Sequence, residues 1–183
     1  MSEQSAPQSQ SNAGSHSNAG SHSNAGSHSN AGSRGTVLLV DDDLGDQELT
    51  RRAFRHESLE GVQLLSVDDG EQALDYLHRR GHFTNPQDSP RPDLILLDLN
   101  MPRKNGSEVL EAIKGDKDFA RIPVVMLTTS QQEIDIARSY QLGCSSYIQK
   151  PVDLCQFTQA VRQIGLYWFN IVALPSRLAS HTA

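Results

Sequence analysis

The sequence predicts an α/β fold, a doubly wound five-stranded parallel sheet with helices on both faces. Short apolar runs alternate with segments of helical periodicity, as in sheets whose parallel strands are joined by crossover helices. The stretch 92–102 places five apolar side chains around the Asp98 carboxylate, which is typical of a strand buried on both faces. Chemistry in such sheets gathers at the carboxyl ends of the strands, where Asp98 falls. On shape alone, Asp98 could equally cap a following helix.

The strands are predicted from apolar runs bounded by turn or polar residues. These runs lie at 36–40, 62–67, within 92–102, at 122–127 and at 145–149. Each is too short for a helix and is followed by a helical pattern. Right-handed crossovers would bring the ends of the first, third, fourth and fifth strands to one edge of the sheet.

The helices are predicted from apolar residues spaced three and four apart. They cover 46–56 with Leu49 and Ala53 inward, a segment with Ala73, Leu74 and Leu77, a segment with Val109, Leu110 and Ile113, 132–142, and a last helix from 154. In the last helix the predicted buried stripe is Leu154, Phe157, Val161, Ile164, Trp168 and Ile171. Beyond Ile164 the helix is apolar all round, which predicts either a homodimer through this region or a C-terminal tail that folds back over it.

The composition limits the class of function. A net charge of -6 over 183 residues gives no basic footprint for nucleic acid. Cys144 and Cys155 match no metal-binding spacing and are expected to be reduced core thiols. No secretory signal pattern or bilayer-length apolar run is present, so we expect a cytoplasmic protein without a membrane partner.

Three regions are predicted along the chain. Residues 1–35 contain repeats of Ser-Asn-Ala-Gly-Ser-His and too few apolar side chains to offset the entropy of ordering, so they are expected to be a disordered tail. The histidines of these repeats are spaced too widely for a good metal site. The folded domain is expected over 36–175, and a short tail over 176–183.

Polar residues follow the predicted strands at the edge where the strands end. Asp41, Asp42 and Asp43 come directly after the first strand, and adjacent buried carboxylates repel one another unless a cation neutralises them. Asp43 could instead cap the next helix. With Asp98, Thr128 and Lys150 at the same edge, the set suits attack of a carboxylate on a phosphoryl group beside Mg²⁺.

The region from Thr36 to about Leu174 resembles the receiver domains of two-component response regulators. The resemblance rests on Val-Asp-Asp at 40–42, the Asp98 strand, Met-Leu-Thr-Thr at 126–129 and Lys-Pro at 150–151. The separations of 30 residues from Asp98 to Thr128 and of 22 from Thr128 to Lys150 are typical of that family.

The resemblance implies a flavodoxin-like receiver topology and a role for each site residue. Asp98 is implied as the phosphoacceptor, Thr128 and Lys150 as phosphate-binding groups, and Thr128 and Tyr147 as the switch pair. The implied Mg²⁺ ligands are Asp41, Asp42, Asp98 and the backbone carbonyl of Asn100. The Lys150–Pro151 peptide is expected to be cis, as in the family.

The family's activity implies a histidine kinase partner and only self-phosphorylation and self-dephosphorylation, not turnover of a separate substrate. With no output domain expected after Pro175, signalling would go through protein-protein interaction or a phosphorelay. The long 81–91 loop, the 100–106 segment and the last helix are similar to single-domain regulators paired with phytochrome-type histidine kinases.

Three other functions compete with this interpretation. A flavodoxin-like FMN carrier would share the fold, but the acidic cluster would repel a flavin phosphate. A haloacid-dehalogenase-type phosphatase needs a second Asp two residues after the nucleophile, where this chain has Asn100. A phosphorylation-independent adaptor with a vestigial acidic site is the third alternative.

Overall fold

The computed structural model describes residues 34–175. The predicted C-terminal tail and residues 1–33 of the predicted N-terminal tail lie outside the described residues. The strands are β1 (Gly35–Val40), β2 (Val62–Val67), β3 (Leu94–Leu97), β4 (Val124–Thr128) and β5 (Ser146–Gln149). The helices are α1 (Leu44–Phe54), α2 (Gly70–His78), α3 (Gly106–Gly115), α4 (Glu133–Gln141) and α5 (Leu154–Leu166).

The five strands form one parallel sheet in the order β2-β1-β3-β4-β5. Side chains alternate between the two faces along each strand. In β1, Leu38 and Val40 pack with α2 and α3, whereas Val37 and Leu39 pack with α1 and α5. The predicted fold class, with helices on both faces of a parallel sheet, is therefore confirmed.

Helix α1 begins and ends two residues earlier than predicted, because Asp43 caps it. Its Oδ1 accepts hydrogen bonds from the backbone N–H of Gly45 at 2.7 Å and of Asp46 at 3.0 Å. These bonds satisfy donors that have no partner within the helix. The capping alternative for Asp43 is the one observed, and it sets the phase of the whole helix.

The last helix departs from the predicted stripe. After α5 the chain makes a π-helical turn, Tyr167–Ile171, which alters the angular spacing of the side chains that follow. Phe169 is therefore buried in place of Ile171, which is 75% exposed. Leu154, 61% exposed, lies outside the core at the other end. The central residues of the stripe, Phe157, Val161 and Ile164, are buried as predicted.

The two cysteines differ in their surroundings. Both are free thiols, but Cys144 is buried whereas Cys155 is exposed in the first turn of α5. The prediction that both lie in the core is wrong for Cys155, because it does not lie on the buried stripe of that helix. Among residues 34–175, no helix has the length and apolar character needed to cross a membrane.

Candidate functional site

The ends of neighbouring strands bring the predicted site residues to one edge of the sheet. Val40 of β1 is in register with Leu97 of β3, so Asp41 and Asp98 leave the sheet side by side. The backbone N–H of Asp98 donates to the Val40 carbonyl at 2.9 Å. On the other side of β3, Thr128 ends β4, and its carbonyl accepts from the Lys150 N–H at 2.7 Å. The predicted meeting of these strand ends is observed.

Three carboxylates at this edge lie close enough to share a cation. Asp41, Asp42 and Asp98 each offer one oxygen, and these oxygens lie within 4.8 Å of one another. Asp41 and Asp98 are buried, whereas Asp42 is exposed and faces the solvent from which an ion would enter. This hard, all-oxygen donor set suits Mg²⁺, which binds through a few carboxylates and retains several waters.

The Lys150 ammonium lies among the carboxylates. Its Nζ is 2.7 Å from Asp41 Oδ2, 2.8 Å from Asp46 Oδ2 and 3.5 Å from Asp98 Oδ2. Asp46 was predicted only as part of a helix and not as a residue of the site. The signal that could have found it is the Asp43 cap, because a helix that begins at Leu44 places Asp46 in its first turn.

Burial controls the protonation of this cluster. It raises the pKa of Asp41 to about 6, even though the Lys150 ammonium acts in the opposite direction. Burial also raises the pKa of Asp98, although the positive charge of Lys150 lowers it. For Lys150, burial favours the neutral amine, but the negative charges of Asp98 and Asp41 outweigh it and raise the pKa of the ammonium. One ammonium thus faces several carboxylates, which leaves an excess of negative charge that favours a divalent cation.

Ser130, which the sequence analysis missed, connects the two predicted switch residues. Its backbone N–H donates to Thr128 Oγ1 at 3.1 Å, and its carbonyl accepts from the Tyr147 hydroxyl at 3.1 Å. Thr128 is fully buried, and its Oγ1 also accepts from Asn100 Nδ2 at 3.3 Å. Both bonds use Thr128 Oγ1 as the acceptor, so its hydroxyl proton can be donated to a different group.

The comparisons with known proteins decide the family. The family model of the response regulator receiver domain matches residues 37–162. The chain belongs to the response regulator receiver family. Response regulator Rcp1 of Synechocystis is 40% identical to this receiver over 140 residues, which are 76% of this chain and 92% of Rcp1.

Solved structures agree with this assignment. The structure of the phosphorylated cyanobacterial phytochrome response regulator RcpA has a TM-score of 0.73 to this receiver at 41% identity, covering 77% of this chain and 98% of RcpA. The Mn²⁺-bound form of Rcp1 has a TM-score of 0.71 at 39% identity, covering 77% of this chain and 99% of Rcp1. The receiver fold is therefore established, and proteins of this family are generally not classical enzymes.

The loop after β3 in this receiver is held tightly beside Asp98. Gly106 donates its N–H to the Leu99 carbonyl at 2.9 Å, and a Cβ at this position would overlap the Asp98 carbonyl. Arg103, with φ +65°, donates to the buried carboxylate of Asp69 at the start of α2. The loop from Leu99 to Gly106 is thereby held at its ends by the Gly106–Leu99 hydrogen bond and in its middle by the Arg103–Asp69 contact.

The peptide bond between Lys150 and Pro151 differs from the expectation. No cis peptide is present among residues 34–175, so this bond is trans and the predicted cis form is wrong. Before proline the two forms differ by only about 0.5–1 kcal/mol, with trans the lower in energy.

Proposed function

We propose that this protein is a single-domain response regulator that accepts a phosphoryl group from a histidine kinase on Asp98, in a reaction that requires Mg²⁺. The observation that carries the proposal is the position of Lys150 Nζ, 3.5 Å from Asp98 Oδ2 and beside the buried Asp41 carboxylate. A carboxylate nucleophile with a cation beside it is the arrangement that phosphoryl transfer to an Asp needs.

In the proposed reaction, an oxygen of Asp98 attacks phosphorus while the bond from phosphorus to the kinase histidine nitrogen breaks. The histidine leaves with the electron pair of that bond, and Asp98 becomes an acyl phosphate. Lys150 binds a phosphoryl oxygen as a point charge, and the Thr128 hydroxyl donates to another. Mg²⁺ would be held by Asp41, Asp42, Asp98 and the Asn100 carbonyl, and when bound it offsets repulsion between the carboxylates and the phosphoryl oxygens.

The proposed output is a two-state switch built from Thr128 and Tyr147. A phosphoryl group on Asp98 adds acceptor oxygens that draw the Thr128 hydroxyl toward them. The backbone of Ser130 is hydrogen-bonded to both side chains. The hydrogen bond from the Tyr147 hydroxyl to the Ser130 carbonyl is therefore expected to change when Thr128 moves. The populations of two arrangements of β5 and α4 would then depend on phosphorylation.

The proposed kinase partner is of the phytochrome type. The similarity to Rcp1 and RcpA supports this choice, since RcpA is itself a phytochrome response regulator. Exposed apolar side chains beside the strand ends support a docking surface at the same edge. They are Leu44, Val152 and Leu154, with 71%, 101% and 61% of their surface exposed. The two free cysteines support a cytoplasmic location for this protein.

The direct test is the intact mass of the protein after incubation with acetyl phosphate. We expect a gain of one phosphoryl group that needs Mg²⁺ and is lost in Asp98→Asn. Asp118→Asn is the matched control, because Asp118 is exposed and precedes β4 at the opposite edge of the sheet. A folded wild-type protein that gains no mass would contradict the proposal and favour the adaptor with a vestigial acidic site.

The kinase class is tested by phosphotransfer. We expect a purified, autophosphorylated phytochrome-type kinase to label Asp98 faster than a histidine kinase with an unrelated sensor at equal concentration. Equal rates from both kinases would remove the phytochrome part of the proposal and leave the receiver function standing.

We further propose a homodimer through the C-terminal helix region, supported by the half-exposed Tyr167 and the exposed Ile171 on the π-helical turn. Sedimentation velocity should show a dimer that Ile171→Glu dissociates. Ile134→Glu, which alters an equally exposed apolar residue on α4, is the control. Dissociation by the Ile134 variant alone would place the interface on α4 instead.

A further inference from the structure

The ammonium of Lys150 has a second strong partner besides Asp41. Asp46 Oδ2 lies 2.8 Å from Nζ and accepts a hydrogen bond from it. The Lys150 side chain is 5% exposed and that of Asp46 is 27% exposed, so solvent screens this pair only in part. An ammonium has three donors. Two are directed at Asp41 and Asp46, and Asp98 lies 3.5 Å away.

Asp46 differs from Asp41 in its relation to the metal. Asp41 belongs to the group of three carboxylates whose oxygens could hold a cation, and Asp46 does not. A cation held by Asp41 would compete with Lys150 for the Asp41 carboxylate, whereas the pair of Asp46 with Lys150 would not be shared with that cation.

The position of Asp46 is set by the backbone of α1. The helix begins at Leu44, and the Asp46 N–H is one of the two groups that the Asp43 side chain accepts from. The first turn of α1 therefore places the Asp46 side chain within hydrogen-bonding distance of Lys150 Nζ. The Lys150 side chain is long and loses much rotamer freedom when it is held in one place, so a fixed partner favours one location of Nζ.

We propose that Asp46 is a positioning residue that holds the Lys150 ammonium beside Asp98 while Asp41 is engaged with the cation. The inference rests on the proposed function and adds to it a residue outside the Asp41, Asp42 and Asp98 group. A preorganised cation stabilises the charge that develops on the phosphoryl oxygens without moving at the moment of transfer.

The test compares Asp46→Asn with Glu48→Gln. Both substitutions remove one negative charge from α1, but Glu48 pairs with Arg52 and Arg55 on the surface, whereas the carboxylates around Lys150 are those of Asp41, Asp46 and Asp98. With acetyl phosphate and saturating Mg²⁺, we expect the initial phosphorylation rate of Asp46→Asn to fall roughly 10- to 100-fold, since small misplacements of a reacting group cost factors of this size. Glu48→Gln should keep the wild-type rate, and the dissociation constant of Mg²⁺ should change less than about threefold in either variant.

A double-mutant cycle separates positioning from a general structural role. In the Lys150→Ala background, Asp46→Asn should cause no further loss of rate, because the residue through which it acts is absent. Asp46→Glu keeps the charge and is expected to recover part of the rate, and melting curves in EDTA verify that each variant folds. A full additional loss in the Lys150→Ala background, or an Asp46→Glu rate no higher than that of Asp46→Asn, would overturn the inference.

Phosphorylation of the wild type distinguishes a failure of the positioning role from a failure of the proposed function. If the wild type is phosphorylated on Asp98 and Asp46→Asn matches Glu48→Gln, the positioning role fails while the proposed function stands. If the wild type gains no phosphoryl group, the proposed function fails, and the positioning role fails with it.

Discussion

Asp41 is fully buried, and its carboxyl group holds a proton more tightly in the folded chain than in the unfolded one. Its pKa rises from 3.8 to about 6, with burial as the main cause. Between these two values the folded state binds more protons than the unfolded state, so the contribution of Asp41 to stability decreases as the pH rises. Above about pH 6 the ionisation of the buried Asp41 carboxyl lowers the stability of the fold by its full amount. A shift of about two pKa units corresponds to at most about 3 kcal/mol.

We therefore predict that Asp41→Asn is more stable than the wild type in EDTA at pH 7, because Asn resembles the neutral acid. The difference in the free energy of unfolding should shrink as the pH falls from about 6 to about 4. Urea titrations at each pH measure it. A difference that stays constant over this range would show that Asp41 is ionised as easily in the folded protein as in water.

At the scale of a helix, the π-helical turn decides which apolar side chain after α5 enters the core. Phe169 is 4% exposed and packs with the cluster on the α1 and α5 side of the sheet. Phe169→Ala is predicted to reduce the free energy of unfolding by about 3–5 kcal/mol, the usual cost of removing a buried aromatic side chain. Leu154→Ala, at an exposed position of α5, should stay within about 0.5 kcal/mol of the wild type. Equal losses in the two variants would contradict the exposed position of Leu154.

Gly106, the first residue of α3, packs against the loop that follows Asp98. In Gly106→Ala, the added methyl group would overlap the Asp98 carbonyl, so the backbone of the site must move. We expect the free energy of unfolding to fall by about 1–3 kcal/mol, as at other overpacked positions, and the phosphorylation of Asp98 to become slower. Gly115→Ala is the control within the same helix, because a Cβ there meets no atom within 4 Å. Gly115→Ala should be as stable as the wild type or slightly more stable. Denaturant melts that rank the two variants in the opposite order would contradict this account of the loop.

At the scale of the whole molecule, Mg²⁺ should stabilise the fold at neutral pH. A ligand that binds the folded state alone adds about 2.7 kcal/mol at a hundred times its Kd. We predict a higher Tm with Mg²⁺ and a return to the metal-free value with EDTA. Asp42→Asn should lose this shift while leaving the Tm in EDTA nearly unchanged, because Asp42 is exposed and lies in the carboxylate group. An undiminished shift in Asp42→Asn would exclude Asp42 as a ligand.

The place of a residue could be predicted from sequence where it follows from the strand that ends before that residue. Asp41, Asp98, Thr128 and Lys150 are brought together because parallel strands place their carboxyl ends at one edge. Asp46 and Ser130 were missed because their contacts depend on the direction of side chains in a helix and a loop. No periodicity in the sequence specifies those directions.

By itself, the sequence determined the order of strands and helices, the layered α/β class and the set of strand-end residues, because apolar periodicity reports directly which face of each segment is buried. Only the tertiary structure decided three other features: the partners of the Lys150 ammonium, the burial of Phe169 in place of Ile171, and the exposure of Cys155. Each of these depends on where a helix begins or how its turns are spaced, and hydrogen bonds to caps and packing against distant residues fix both. Local pattern carries no record of such long-range contacts.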